Sequence, residues 1–318
     1  MRIVLLEPLG ISEEKLNELA QPLKDDGNEF IAYPDKTSDE DELVSRARGA
    51  EIVMIANNLL PDSVITQLPQ LKYIAVAFTG IDHVGLNACR KQHIVVSNCA
   101  GYSDTSVAEL TVGLTLDVLR KVLLGDIAAR TGKTSAGLVG QEITGKTVGL
   151  IGTGHIGSAV AKLFTALGAT VLGYARHTSQ TAIDAGVTFV SEEELLKQSD
   201  IVSLHLPLND QTKKSFGAAQ FAQMKDGAVF INCARGAIVD NEALAYALRS
   251  GKLAGAGVDV FDVEPPLPAD YPLLHAPNLV LTPHVGFLTK EGLERRAQIE
   301  FDNVQNYLAG RPTNVCEL

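Results

Sequence analysis

Three polar side chains in the second half of the sequence lie just beyond apolar runs: Arg235 in INCARG, Glu264 in GVDVFDVEPP and His284 in LVLTPHVGF. In an open α/β sheet, catalytic groups are presented at the carboxyl ends of strands. A guanidinium can fork onto a carboxylate and stabilise a developing alkoxide. An imidazole that titrates near neutrality can hand over a proton, and a carboxylate beside it favours the charged ring. A cation, a carboxylate and an imidazole are together the set that reduction of a keto acid needs. Taken singly, each residue has a plainer use. A loop Arg serves as an ion-pair partner, a Glu before Pro-Pro as a solvated carboxylate, and a His as a structural hydrogen-bonding group.

A second group is the glycine loop Gly152-Thr153-Gly154-His155-Ile156-Gly157, which follows KTVGLI and opens SAVAKLFTALGA. A bare G-x-G-x-x-G is weak, but a strand before it and an apolar-periodic helix after it supply the context of a phosphate cradle. Gly152 permits the tight turn, Gly154 lets the backbone approach a pyrophosphate, and Gly157 lets helix and strand pack closely. The free N–H groups at the helix start then receive the phosphates. A glycine-rich structural turn is the alternative. In NAD sites an acid about 20 residues further on holds the adenosine ribose. Here VLGYARHTS puts Ala175 at that place, followed by Arg176, His177 and Thr178. A missing acid beside a new Arg is what a 2′-phosphate needs. NADP(H) is therefore the expected coenzyme, with NAD(H) as the weaker one. A plain surface Arg is the other reading.

Elements must hold these groups in place. The 318 residues suggest two domains. Val- and Ile-rich runs alternate with amphipathic stretches, which is the α/β signature of parallel strands buried on both faces. Strands are expected at 2–6, 29–33, 51–56, 72–77 and 94–97, with helices at 12–25, 39–48, 62–68 and 86–92. Ser12 fits an N-cap, and Pro61 sits where a helix would start. One long helix is expected over about 104–130, then a Gly- and Thr-rich connector at 131–145. A second βα series follows, with strands at 147–151, 170–174, 187–190, 201–205, 228–232, 255–259 and 278–282, and a last helix at about 289–309. The fold class is α/β, with two doubly wound parallel-sheet domains. Ligands in such folds sit at the strand carboxyl ends, often between domains.

Composition narrows the function classes. Hydrophobic residues make up 46% and charged residues 20%, enough for a large core. The 27 Lys and Arg against 38 Asp and Glu give a net charge of −11. That balance argues against nucleic acid and against an anionic membrane surface as partners. No apolar run reaches the roughly 18 residues of a membrane span, and MRIVLLEP is too short for a signal peptide. Cys89, Cys99, Cys233 and Cys316 show no metal spacing, so no metal is expected. They read as reduced thiols of a cytoplasmic protein.

The motifs TGIDHVG at 79–85, VAEL at 107–110, GTGHIG at 152–157, NCARG at 232–236, DVFDVEPP at 259–266 and TPHVGF at 282–287 occur in one order along the chain. In these the sequence resembles the D-isomer-specific 2-hydroxyacid dehydrogenase family over essentially its whole length. The resemblance implies a flavodoxin-like substrate domain, 1–98 plus 287–318, interrupted by a Rossmann coenzyme domain, 99–286. It implies that Arg235 binds the substrate carboxylate and polarises the carbonyl, that His284 is the acid–base catalyst and that Glu264 holds its imidazole. Thr79, His155, Ile156, Cys233, Asp259 and Gly286 would line the coenzyme site, and the backbone at Phe78, Thr79 and Gly80 would take the substrate carboxylate. A homodimer paired through the coenzyme domain is expected, and the apolar stretch 106–128 is consistent with it.

The resemblance leads to a reductase of small 2-oxo acids such as glyoxylate or hydroxypyruvate. A phosphoglycerate dehydrogenase is the alternative within the family. ANNLLPD lacks the Arg that grips a substrate phosphate there, and no regulatory domain follows residue 318. A coenzyme-sensing, corepressor-like interaction protein is the alternative from another class, although no interaction tail is visible. A formate dehydrogenase is disfavoured because that branch has Gln at the place of Glu264. The chain has no tryptophan, although many relatives carry one within 131–140. Phe287 replaces a residue that is often small and could narrow the pocket.

Overall fold

A computed structural model describes residues 1–263 and 265–318. The expected carboxylate Glu264 lies outside the described residues. The chain divides into two compact units, Met1–Ser103 with Leu288–Leu318, and Asp104–Phe287.

The first unit is built from β1 (Arg2–Leu5), α1 (Glu13–Asp25), β2 (Glu29–Ala32), α2 (Glu40–Ala47), β3 (Ile52–Ile55), α3 (Asp62–Ile65), β4 (Tyr73–Val76), α4 (Leu86–Gln92) and β5 (Val95–Ser97). Its strands form a parallel sheet in the order β2-β1-β3-β4-β5. β3 and β4 are buried at every residue, which is why they read as unbroken apolar runs. Ser12 caps α1 by accepting from Lys15 N, 3.2 Å away. The expected helix at 62–68 is a single turn, with Pro61 at its N-cap position and Thr66 N already bonded to Asp62 O.

The second unit contains α5 (Asp104–Arg120), α6 (Val122–Arg130), β6 (Thr147–Ile151), α7 (His155–Ala166), β7 (Thr170–Tyr174), α8 (Gln180–Asp184), β8 (Val187–Phe189), α9 (Glu192–Gln198), β9 (Ile201–Leu204), α10 (Ala218–Gln223), β10 (Ala228–Asn232), α11 (Asn241–Arg249), β11 (Leu253–Val258) and β12 (Leu279–Leu281). Its seven strands are all parallel, in the order β12-β11-β10-β9-β6-β7-β8. The single helix expected over 104–130 is two. Lys121 adopts a left-handed backbone with φ 53°, and the Asp117 carboxylate accepts from Leu123 N at 2.9 Å, giving the second helix its own start. Apolar periodicity alone could not register that break, because it continues through the kink.

The chain then returns to the first unit with α12 (Lys290–Leu308), which packs on β4 and α1. Tyr307 of α12 stacks on Tyr73 of β4 at 4.1 Å between ring centres. The tail beyond α12 forms an antiparallel bridge between Val315 and Ser97 of β5. No helix among the described residues is long and apolar enough to cross a membrane.

Candidate active site

In a doubly wound sheet the crevice opens where the strand order reverses. In the second unit that place is between β6 and β9. The glycine loop follows β6, and His205 follows β9. Gly152 has φ 95°, and a Cβ there would lie 2.4 Å from the His205 carbonyl oxygen. A Cβ at Gly157 would lie 2.3 Å from the Gly152 carbonyl oxygen, whereas one at Gly154 would meet nothing within 4 Å. Two glycines therefore serve the fold, and the third leaves open space for a ligand. No side chain caps α7 at Gly154, so none competes for the first-turn N–H groups.

Two buried polar atoms at the loop, Thr153 Oγ1 and His205 Nδ1, have no hydrogen-bond partner. Unsatisfied buried groups of this kind are costly and mark a place where a ligand completes the bonding. Together with the open face at Gly154, they fit a dinucleotide pyrophosphate. His155 is exposed, 3.7 Å from Asp104, and Ile156 packs against the core beneath the loop. Burial holds the His205 imidazole down to about 4, so the ring is neutral at physiological pH. Its Nε2 lies 2.9 Å from Ser203 Oγ. Sequence reading passed over His205, although its position at the end of IVSLH was a usable signal.

At the end of β7, Ala175 occupies the expected acid position, followed by exposed Arg176, His177 and Thr178. The Arg176 guanidinium donates to Gln211 Oε1 at 3.1 Å. Ser179 is committed as the N-cap of α8, accepting from Ala182 N at 3.1 Å.

The other candidates follow three neighbouring strands, β10, β11 and β12. Buried Asn232, at the end of β10, shapes the Arg235 turn: its amide donates to Arg235 O at 3.1 Å and its oxygen accepts from Ala234 N at 3.0 Å. Arg235 Nη1 donates to Ala234 O at 2.9 Å. A Cβ on Gly236 would sit 1.9 Å from the Phe261 carbonyl carbon, so only glycine lets the Arg235 turn lie against the segment after β11.

Asp259 is 1% exposed and ties down the turn after β12. Its carboxylate accepts from Thr282 Oγ1 at 2.6 Å, Val285 N at 2.8 Å and Gly286 N at 2.8 Å. Its carbonyl accepts from His284 N at 2.8 Å. Burial raises the Asp259 carboxyl, while these hydrogen bonds and the charge of His284 pull the other way. His284 itself has φ 57°, a strained region for a non-glycine residue. Its ring meets Phe287 edge-on at 5.6 Å. Cys233 is buried, and burial first, then the Asp259 charge, pushes its thiol up to about 12, so it is inert.

In the first unit, Phe78, Thr79 and Gly80 follow β4. Phe78 O accepts from Cys99 N at 2.8 Å, and Thr79 O accepts from Asn98 Nδ2 at 2.8 Å. Among the described residues, no group of His, Cys, Asp and Glu is arranged to hold a metal ion.

A sheet of this order with a glycine loop at its switch point is a dinucleotide-binding fold. Residues 112–286 match the NAD binding domain of the D-isomer specific 2-hydroxyacid dehydrogenases. The chain is 38% identical over 299 residues to the glycerate dehydrogenase of Methylorubrum extorquens, covering 91% of this chain and 92% of that enzyme. It is similar to an acyclic imino acid reductase solved in complex with NADPH and D-Arg, with TM-score 0.89, 30% identity and full coverage of both chains. It is also similar to an Aquifex aeolicus D-lactate dehydrogenase complexed with NAD and lactic acid, with TM-score 0.84 and 29% identity over 98% of this chain and 96% of that one. The chain belongs to the D-isomer-specific 2-hydroxyacid dehydrogenase family. It is a nicotinamide-dependent oxidoreductase of the 2-oxo acid and 2-hydroxy acid couple.

Proposed function

We propose that the protein reduces a small 2-oxo acid of the glyoxylate or hydroxypyruvate type. The observation that carries this reading is the placement of Arg235 after β10 and His284 after β12, the two strands that flank β11 in one parallel sheet, at the same edge as the glycine loop. The reduced nicotinamide, when bound, supplies a hydride to C2 of the oxo acid. Arg235 forks onto the substrate carboxylate and stabilises the negative charge that grows on the carbonyl oxygen. His284 gives its proton to that oxygen and takes it back in the oxidative direction. Glu264 is the carboxylate assigned to orient the imidazole. Asp259 fixes the turn that carries His284, so the ring is placed before substrate arrives. The second unit holds the coenzyme, with Gly152, Gly154, His155, Ile156 and Gly157 at the pyrophosphate and Cys233, Asp259 and Gly286 further along the site. The first unit holds the substrate carboxylate on the backbone at Phe78, Thr79 and Gly80.

The coenzyme preferred is NADPH. Ala175 offers nothing to the ribose hydroxyls and does not repel a 2′-phosphate, while Arg176, His177 and Thr178 offer donors. The assembly is a homodimer in the cytoplasm, built on α6 and the following loop. α6 buries none of its residues, and it exposes Val122, Leu123, Leu124 and Ile127, while Val139 is 85% exposed. A panel of 2-oxo acids assayed with both reduced coenzymes tests the reading. We expect the highest kcat/KM for a short oxo acid with NADPH. No turnover of any 2-oxo acid would overturn it.

A further inference from the structure

The first unit carries a buried charged cluster that this reading of the site does not use. Glu7, after β1, and Glu300, on α12, are both 0% exposed, and Arg296, one turn before Glu300, is 4% exposed. The Glu7 carboxylate plugs the place where strand order reverses in this sheet, accepting from Ala56 N at 2.8 Å and Asn58 N at 2.7 Å after β3. Lys36 lies 3.1 Å from its other oxygen.

Arg296 reaches three strand ends at once. Its Nη2 donates to Leu9 O, after β1, at 2.8 Å. Its guanidinium lies over the Phe78 ring, after β4, at 5.7 Å and over the Tyr102 ring, after β5, at 5.9 Å. Phe78 and Tyr102 are themselves 5.9 Å apart. The backbone of the same turn is tied to α12 by a second route. Asn303 of α12 donates to Asn98 O at 2.8 Å, and Asn98 donates to Thr79 O at 2.8 Å.

A buried charged cluster is rarely the stable choice, because well-packed apolar residues of similar volume are often neutral or better. A Met at 296 would fill the space. What Met cannot do is hold two aromatic faces and a carbonyl in one geometry, since that takes a planar cation with several donors. Burial raises the Glu300 carboxyl well above its usual range, with Arg296 pulling it down and Glu7 pushing it further up. The cation that lies over Phe78 is therefore held among buried carboxylates.

We propose that Arg296 is a positioning residue that sets the 78–80 turn, and through it the affinity for the substrate carboxylate. This rests on that turn receiving the carboxylate. Arg296→Met combined with Glu300→Gln removes the cation and the buried carboxylate one turn further along α12 together. In this double variant, KM for the 2-oxo acid is expected to rise about tenfold, with KM for the coenzyme unchanged and the melting temperature equal to or above that of the wild type. Arg296→Lys keeps the charge over the rings but loses the fork, and should fall between the two. Amide hydrogen exchange read in the same proteins should speed up over residues 77–82 and not over β4.

Unchanged exchange over 77–82 in the folded double variant overturns the positioning role, whatever the activity. Faster exchange with an unchanged KM overturns the link to substrate. If the wild type turns over no 2-oxo acid, the functional reading fails, and the exchange data still decide whether Arg296 holds the turn.

Discussion

At the residue scale, the site divides into groups that would act on substrate and groups that hold them. His284→Ala should lower kcat by about 10²–10⁴-fold, the usual share of a general acid–base group, with coenzyme binding intact by fluorescence titration. A loss smaller than about threefold would remove His284 from that role. Arg235→Lys should lower kcat/KM for oxo acids far more than its conserved charge suggests, because lysine lacks the planar fork. Near-wild-type kinetics would show that a point charge suffices. His205 gives a prediction about stability. Its folded value of about 4 lies below the ordinary 6.5. Between these two the unfolded chain binds a proton that the folded chain refuses, so falling pH destabilises the fold across that window, by up to about 3 kcal/mol at its lower end. Urea midpoints of wild type and His205→Gln, taken from pH 7 to pH 4.5, should diverge, with the variant losing less. Parallel curves would mean that the ring charges freely in the folded protein. The position of Arg235 and His284 just beyond strands was legible from sequence because each follows an apolar run by a few residues. The role of Asp259 was not, since its grip on Val285 and Gly286 depends on β11 and β12 being neighbours, which the sequence does not state.

At the element scale, strand centres were readable and junctions were not. β6, β7 and β10 match the expected spans because strands buried on both faces are unbroken apolar runs. The split between α5 and α6 was hidden, because it turns on one left-handed residue and one side-chain cap. The loop after β7 carries the coenzyme prediction. Arg176 already bonds Gln211, which holds its guanidinium at the surface beside Ala175. A charge-assisted hydrogen bond contributes about 1.5–3 kcal/mol, or roughly ten- to a hundredfold in affinity. Arg176→Ala should raise KM for NADPH by about that factor and leave NADH nearly unchanged. Ala175→Asp should favour NADH. Equal or better kcat/KM with NADH in the wild type would show that the guanidinium stays on Gln211 and misses the phosphate.

For the whole molecule, the exposed apolar face of α6 is the feature most relevant to assembly. Sedimentation should show a dimer of the 33.9 kDa chain at micromolar concentration, and Leu124→Glu with Ile127→Glu should shift it to monomer. A single species at the monomer mass in the wild type would count against the dimer. The division of the chain has another consequence. The first unit needs residues from both termini: Tyr307 stacks on β4 and Val315 bridges β5, yet residues 104–287 intervene. On a ribosome moving at roughly 5–20 residues per second, the N-terminal strands emerge and then wait about 10–40 seconds for the helix that covers them. The second unit is continuous and can close meanwhile. The order of birth is thus the reverse of the order of completion: the half of the protein made first is the last to be finished, and its bare strand β4 is the surface a chaperone would meet.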